Sequence, residues 1–321
     1  MSCANKTGIG IVSSVIIALC PLGMVQAAAP ISKVPVPGFA RMMVGDFQVT
    51  PLSDGDWALP VNQLLLNTTG PEVDAILAAR LLKSPLKIST NAYLVNTGAR
   101  LVLVDTGAGA TAGTAAGAVL ANLKAAGYAP EQVDDIYITH MHNDHMGGLV
   151  DGKKLVFPNA IVHADKHDVD YWLSPENLAK AGQDLKPYFQ IAVNSMEPYI
   201  EAGRFKAFDG NTDLMPGVKA IASYGHTEGH TIYSFESKGQ KLVLWGDLLH
   251  VGEIQFDQPD ITLSYDTHPE AAIQSRKQAF AAAAADGAWV AVAHLPFPGV
   301  GRIKATPTGY TWLPASSAAL P

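Results

Sequence analysis

Short apolar segments, each closed by glycine or a polar turn, recur along the chain and predict β-strands. The predicted strands cover residues 45–55, 90–95, 100–105, 135–139, 217–223, 231–236, 241–245 and 289–293. The first of them runs into an Asp54-Gly55 turn, and the second and third form a hairpin. Helical spacing of apolar residues predicts helices over residues 114–126 and 269–286. Because strands and helices alternate, we expect an α/β protein with two mixed sheets face to face and helices outside, a four-layer αββα sandwich.

The first thirty residues have a different pattern. A single lysine precedes an apolar stretch over residues 8–25, and three alanines follow at positions 27–29. This order is typical of a secretory signal peptide, so we expect residues 1–28 to be removed near that alanine run. Residues 29–321 would then form a single domain of an exported protein, periplasmic or secreted. An uncleaved membrane anchor is the alternative, but a proline and a glycine interrupt the apolar stretch, so we expect no stable anchor.

Composition and charge narrow the class of protein. The 321 residues are 48% hydrophobic and 16% charged, which is globular composition, and the formal net charge is −7. A nucleic-acid binder usually has a basic face because phosphate neutralisation supplies most of its affinity, so we expect no nucleic-acid partner. Cys3 and Cys20 both lie in the segment expected to be removed. A lipoprotein at Cys20 is disfavoured because Leu19 precedes it, and any metal must be held by histidine and carboxylate.

Residues 139–148 (THMHNDHMGG) carry the strongest chemical signal in the chain. They place His140, His142, Asp144 and His145 within six residues, directly after a predicted buried strand. Neutral imidazole and carboxylate are the ligands that a zinc-like ion prefers when no thiolate is available. Without a metal, these side chains would form a desolvated polar cluster without partners, which is costly. The pattern therefore predicts a metal centre.

The spacing His-x-His-x-Asp-His resembles the signature of the metallo-β-lactamase superfamily, and three later segments resemble that family too. They are residues 225–230 (GHTEGH), 245–247 (WGD) and 290–294 (VAVAH). The resemblance implies seven metal ligands: His140, His142, Asp144, His145, His226, Asp247 and His294. In the GHTEGH segment the family pattern gives the ligand role to the first histidine, and His230 is left as a supporting residue.

Seven ligands imply two divalent metal ions, which we expect to be zinc. By resemblance, Asp247 bridges the two ions and Asp144 orients the attacking hydroxide, so these two are the expected catalytic residues. Two cations roughly 3.5–4 Å apart can hold a shared hydroxide beside a substrate oxygen. Bound water also becomes acidic enough to provide hydroxide near neutral pH. The expected activity is therefore hydrolysis without a serine or cysteine nucleophile.

Over nearly all of the expected mature chain, the sequence also resembles the methyl parathion hydrolases and their lactone-hydrolysing relatives. The matching segments include residues 43–47 (MVGDF), 52–55 (LSDG), 93–98 (YLVNTG), 121–128 (ANLKAAGY) and 210–214 (GNTDL). Such enzymes are exported homodimers with two metals. The resemblance implies a homodimer here, with a small neutral aromatic lactone, ester or phosphotriester as substrate.

Four pocket residues decide between these substrates. Trp172 and Tyr188 match the apolar aromatic pocket that the resemblance implies, but residues 107–117 offer only alanine, glycine and threonine where an aromatic residue is expected. His250 stands where the phosphotriesterases have an aliphatic residue, and we expect it at the mouth of the pocket. Leu64 stands where they have a cation. These departures favour an aryl lactonase that opens dihydrocoumarin, and an organophosphate triester hydrolase is the alternative.

Three further classes share the fold or the compartment. Di-iron electron carriers of this fold tend to replace one histidine with glutamate and carry a flavin domain, whereas this chain has His142 and no such domain is expected. A β-lactamase fits the exported compartment, but a bridging aspartate such as Asp247 is typical of other branches. A non-catalytic binding protein is disfavoured because the whole ligand set is present.

Overall fold

Two seven-stranded sheets face each other in the computed structural model, which describes Met1, Ser2 and residues 36–315. The strands are β1 (Met42–Val44), β2 (Phe47–Leu59), β3 (Leu65–Leu66), β4 (Leu86–Asn96), β5 (Leu101–Val104), β6 (Asp135–Tyr137), β7 (Val150–Asp151), β8 (Lys154–Leu155), β9 (Ile161–Asp165), β10 (Phe205–Phe208), β11 (Thr212–Met215), β12 (Val218–Ala222), β13 (Thr231–Ser237), β14 (Gln240–Leu244), β15 (Thr262–Leu263), β16 (Trp289–Ala291), β17 (Val300–Ala305) and β18 (Tyr310–Pro314). The first sheet has the order β1-β2-β4-β5-β6-β9-β10, and the second has the order β11-β12-β13-β14-β16-β17-β18. Two small ribbons, β3 with β15 and β7 with β8, complete the pairing.

Helices connect and cover these strands. They are α1 (Val61–Leu64), α2 (Gly70–Ala79), α3 (Val119–Ala125), α4 (Asn143–Met146), α5 (Lys166–Trp172), α6 (Pro175–Lys180), α7 (Lys186–Glu201), α8 (Gly252–Gln255) and α9 (Pro269–Asp286). Three short 3-10 turns cover Gly109–Ala112, Pro130–Gln132 and Gly147–Leu149.

Strand β4 shows why the centre of the first sheet is a continuous apolar run. Tyr93 and Val95 belong to the core between the two sheets, whereas Ala92 and Leu94 belong to the core behind the first sheet. Successive side chains of a strand lie on opposite faces, and both faces of this strand are buried. Residues 92–95 are covered on both sides and are apolar at every position, whereas the buried Ser89, Thr90 and Asn91 earlier in the strand are polar.

The outer face of each sheet is covered by helices. α3, α5 and α7 contribute Leu123, Trp172 and Met196 to the core behind the first sheet. α9 contributes Phe280 and Ala283 to the core behind the second. The layers are therefore helix, sheet, sheet and helix, which confirms the predicted αββα sandwich.

Asp54 and Gly55 do not form the predicted turn. β2 continues through them, and its register against β4 shifts at this point, which is a β-bulge. The buried Asp54 carboxylate accepts backbone N–H bonds from Ala108 (2.9 Å) and Val119 (3.1 Å). Gly55 has a φ of +146°, and a Cβ there would lie 2.3 Å from the Ala115 carbonyl oxygen. The dipeptide therefore holds a neighbouring loop instead of closing a hairpin.

The helices agree with the sequence pattern only in part. α9 coincides with the predicted helix over residues 269–286, but α3 begins at Val119, five residues later than residue 114. The backbone amide of Ala118 donates to the Asp54 carbonyl, so the preceding residues follow β2 rather than a helix. The pattern did not predict α7, which contains Pro198 near its C-terminal end.

The predicted signal peptide lies outside the described residues except for Met1 and Ser2, so its cleavage and the domain boundary at residue 29 stay predictions. From Pro37 onward the described chain forms one compact unit. Within the described residues, none of the helices has both the length and the apolar character needed to cross a membrane.

Candidate metal centre

The metal-type side chains lie just beyond the ends of strands. His140 is the third residue after β6, Asp247 the third after β14, and His294 the third after β16. β14 and β16 are parallel neighbours, so their carboxyl ends lie side by side. His226 comes from the loop between β12 and β13. The fold therefore gathers residues that are far apart in sequence at one set of strand ends.

The first group of ligand atoms consists of three imidazole nitrogens. His142 Nδ1 lies 3.0 Å from His140 Nε2 and 3.1 Å from His226 Nε2. Burial, together with nearby imidazoles, holds the pKa of His140 and of His142 well below the usual range. Both rings are therefore neutral, which is the form that binds a metal ion.

Asp247 lies between this group and a second one. Its Oδ1 is 3.0 Å from His145 Nε2, and its Oδ2 is 3.3 Å from His226 Nε2. His294 Nε2 lies 3.1 Å from both oxygens. Asp144 Oδ2 completes the second group at 3.5 Å from His294 Nε2. One carboxylate thus has an oxygen directed to each group, as a bridging ligand requires.

The outward-facing nitrogens of the histidines are tied to the surrounding structure. His145 Nδ1 is 2.8 Å from Asp105 Oδ2, His226 Nδ1 is 2.8 Å from Asp266 Oδ1, and His294 Nδ1 donates to the Ser89 carbonyl at 2.9 Å. Such bonds fix the tautomer and direct the lone pair of Nε2 inward. Three ligand rings are therefore oriented before any metal binds.

Two orphaned atoms show that this centre fits a metal pair. His145 Nε2 and Asp247 Oδ1 are buried and have no hydrogen-bond partner, although they are only 3.0 Å apart. Buried polar atoms without partners are costly and rare. A cation bound in the second group would satisfy both, and an all-nitrogen-and-oxygen donor set suits zinc. The structure brings together all seven residues that the sequence predicts as ligands, and we call these seven the metal floor.

His230 supports the metal floor from behind. Its Nδ1 donates to the Ser223 carbonyl at 2.9 Å, and its Nε2 accepts the backbone N–H of Asp247 at 3.0 Å. Burial and the neighbouring His226 lower the pKa of His230 to about 3, so the ring stays neutral and can accept. Gly246 allows this approach, because its φ is +54° and a Cβ would lie 2.9 Å from His230 Nε2.

His250 lies deeper than the sequence predicts. It is 4% exposed rather than at a pocket mouth, and its Nε2 is 3.1 Å from Asp247 Oδ2. Its ring stacks on that of His294 with centroids 4.7 Å apart. The backbone amide of His250 donates to Gln255 Oε1 at 2.8 Å, so the backbone at His250 is fixed by a buried side chain. His250 is therefore in direct contact with the metal floor.

The other predicted pocket residues occupy different depths. Trp172 is 4% exposed and meets the ring of His142 edge to face, with centroids 5.5 Å apart. Tyr188 is 42% exposed on α7, and Leu64 is half-buried, with its carbonyl accepting from Ser264 at 2.9 Å. Trp172 is thus a buried wall, while Tyr188 and Leu64 are accessible.

Sequence reasoning missed Tyr265. It is 45% exposed, and burial followed by the nearby Tyr188 and Asp144 raises the pKa of its hydroxyl. It directly precedes Asp266, whose Oδ1 lies 2.8 Å from His226 Nδ1 of the metal floor. No periodic pattern marks it, because it lies on a loop after β15. We call Leu64, Tyr188 and Tyr265 the rim.

Two facing sheets with a histidine–aspartate centre at their strand ends define a metal-dependent hydrolase. Residues 87–294 match the family model of the metallo-beta-lactamase superfamily, and the chain belongs to this superfamily. A crystal structure of the hydrolase AbOPH, in the beta lactamase superfamily, is 36% identical with a TM-score of 0.84, and the match covers 88% of this chain and 99% of that one.

A second solved structure extends the comparison to lactones. AidC, a dizinc quorum-quenching lactonase in complex with the product N-hexanoyl-L-homoserine, is 30% identical with a TM-score of 0.80, over 87% of this chain and 98% of that one. A probable metal-dependent hydrolase from Staphylococcus aureus shares the fold at 21% identity and a TM-score of 0.71, over 86% of this chain and 99% of that one.

Proposed function

We propose that this hydrolase holds two zinc ions and opens aryl lactones of the dihydrocoumarin type. The observation that carries the proposal is the placement of Asp247, whose two oxygens face two separate groups of ligand atoms. Divalent ions held there supply acidic water and polarise the carbonyl of the substrate. The similarity to the dizinc lactonase AidC supports the metal and lactone hydrolysis, while the aryl substrate is inferred from the aromatic side chains around the site.

The two aspartates have different parts in this reaction. Asp247 is 3% exposed and is surrounded by imidazoles, which hold the pKa of its carboxyl well below the usual range although burial alone would raise it. It therefore stays anionic and fixes the spacing of the two groups. The side chain of Asp144 is 20% exposed, so it is the more accessible carboxylate. We assign to Asp144 the proton of the attacking water, which then passes to the leaving phenolate oxygen.

The aromatic surroundings favour a flat aryl substrate. The Trp172 indole packs edge to face against His142, and Tyr188 and Tyr265 are exposed aromatic side chains. Aromatic side chains stack on aromatic ligands with ring centroids about 4.5–7 Å apart. A fused aryl lactone offers such a face, whereas the acyl chain of a homoserine lactone does not.

Organophosphate triester hydrolysis is the second candidate. The resemblance to the methyl parathion hydrolases favours it, and the same aromatic entrance suits a nitrophenyl leaving group. His250 argues for the lactone, because it places a polar ring beside Asp247 where the phosphotriesterases have an aliphatic residue. We therefore place phosphotriesters as slower substrates.

A substrate panel on zinc-replete protein tests the proposal. It compares dihydrocoumarin, an acyl homoserine lactone, methyl parathion and a cephalosporin. We expect the highest kcat/KM for dihydrocoumarin, a lower value for methyl parathion and none for the cephalosporin. Asp247→Ala is the control for adventitious metal catalysis. A triester turned over faster than every lactone would replace the first candidate by the second.

We also propose that the protein is exported as a homodimer without a membrane anchor. The charged start, the apolar stretch and the alanines at positions 27–29 support export, and the resemblance to exported dimeric hydrolases supports the dimer. N-terminal sequencing of protein from the cell envelope should begin near residues 27–30, and an intact Met1 would contradict export. Analytical ultracentrifugation should give twice the mass of the mature chain, and a monomer would contradict the dimer.

A further inference from the structure

Arg276 is a buried cation that the proposed reaction does not use. It lies on α9 and is 1% exposed. Its Nε donates to the Leu248 carbonyl at 2.7 Å, and its Nη1 donates to the carbonyls of Pro259 (2.9 Å) and Ile261 (2.8 Å). A guanidinium taken out of water is costly unless its donors are satisfied and a counter-charge is near. An apolar side chain would fill the same space behind the second sheet without that cost.

The counter-charge is Asp266, which also contacts the metal floor. Asp266 Oδ2 lies 3.7 Å from Arg276 Nη2, and both side chains are 1% exposed. The other oxygen, Oδ1, lies 2.8 Å from His226 Nδ1. A line of contacts therefore runs from α9 through one carboxylate to a predicted ligand of the first group.

Arg276 and Gln255 both bind the Ile261 carbonyl, which lies in the segment between Asp247 and Asp266. Gln255 Nε2 donates to the Ile261 carbonyl at 3.0 Å, and Arg276 donates to that carbonyl as well. Gln255 Oε1 accepts the backbone amides of His250 (2.8 Å) and Val251 (2.9 Å). The segment between Asp247 and Asp266 is therefore fixed at its start, middle and end by buried side chains.

We propose that Arg276 is a positioning residue for the metal centre, which holds Asp266 in place as an anionic partner and so orients His226. A carboxylate that accepts from a ligand histidine raises the basicity of the ring and fixes its direction. A nearby cation keeps that carboxylate from turning toward other donors. The inference rests on the proposed metal pair but is independent of the substrate.

Zinc release measures this role without any substrate. Holoenzyme is mixed with a chromophoric chelator in excess, and the release of each zinc equivalent is followed as a separate phase. Asp266→Asn and Asp105→Asn assign the phases, because these two aspartates contact His226 and His145, which belong to different groups. We expect Arg276→Met to accelerate the phase that Asp266→Asn accelerates, by about 10–100-fold, and to leave the other phase unchanged.

Two further variants separate positioning from general stability. Lys277→Met removes a charge from the next position of α9, where Lys277 pairs with Asp260 at the surface, and should change neither phase. Arg276→Lys keeps the charge but loses the forked donation, so its release rate should fall between those of the wild type and Arg276→Met. If Arg276→Met does not fold, Arg276→Lys tests the proposal instead, and it should accelerate the zinc-release phase that Asp266→Asn accelerates.

The combined variant completes the test. Arg276→Met with Asp266→Asn should release zinc no faster than Asp266→Asn alone, because the arginine acts through the aspartate. Equal acceleration of both phases, no acceleration, or additive effects of the two substitutions would each overturn the proposal. Loss of lactone activity with normal zinc release would instead count against the proposed substrate, so the two failures are distinguishable.

Discussion

The metal floor and the rim are built in opposite ways. His140, His145 and His226 are at most 2% exposed, and a second contact behind each ring fixes its direction. Tyr188 and Tyr265 are 42% and 45% exposed and stand on a helix and a loop. The directions of the floor side chains are fixed by several buried hydrogen bonds, whereas the rim side chains have few buried contacts.

This difference separates the type of chemistry from the choice of substrate. Changing a buried ligand leaves other buried polar atoms unsatisfied, so the floor tolerates little variation. Changing an exposed rim residue alters only the surface that meets the substrate. We therefore expect floor substitutions to lower kcat on every substrate and rim substitutions to shift KM selectively.

The largest effects should come from the floor ligands themselves. Asp247→Ala should lose both zinc equivalents, because Asp247 alone faces both groups, and activity should vanish on all substrates. His140→Ala and His294→Ala should each lose one equivalent. Elemental analysis beside kinetics on two substrates checks this. An Asp247→Ala protein that retains both metals would show that the carboxylate is not a bridge.

Zinc binding to metal-free protein should release protons. Although burial alone would lower it, hydrogen bonds to Asp247 and Asp266 raise the pKa of His226 to about 9, so this ring carries a proton below that pH. A metal must displace the proton, and apparent affinity should rise about tenfold per pH unit for each proton displaced, up to about pH 9. Calorimetry in buffers of different ionisation enthalpy counts the protons. Affinity that is flat from pH 7 to 9 would contradict this.

His250 is buried against Asp247 of the metal floor, although the sequence predicted it at the pocket mouth, so its substitution tests whether it belongs to the floor. His250→Leu removes a hydrogen bond of about 1 kcal/mol and adds apolar surface beside His294. We expect kcat/KM to fall for dihydrocoumarin and to rise for methyl parathion, each by about tenfold, which corresponds to about 1.4 kcal/mol. If both values fall together, His250 belongs to the floor and does not select the substrate.

The smallest effects should come from the rim. Tyr188→Ala removes aromatic contact worth about 1 kcal/mol, so KM for aryl substrates should rise roughly fivefold while kcat and zinc content stay unchanged. Ile200→Ala is the matched control, because Ile200 is 44% exposed at the other end of the same helix. A drop in kcat with Tyr188→Ala would place this residue in the catalytic machinery.

The same contrast explains how much the sequence can predict. The metal floor could be predicted because several histidines and an aspartate follow one apolar strand within a few residues, and such a local cluster indicates metal binding. The rim depends on which loops meet in space, so the sequence placed His250 too far out and missed Tyr265. The predicted turn at Asp54 and Gly55 was wrong for a similar reason. These residues locally favour a turn, but Asp54 instead accepts a hydrogen bond from the distant Ala108.

The metal content of the active protein decides whether the centre holds two ions. We expect two zinc equivalents per mature chain after purification without chelator, with activity lost on chelation and recovered fully only when the second equivalent is restored. Full activity in protein that contains less than one metal equivalent per chain would contradict it.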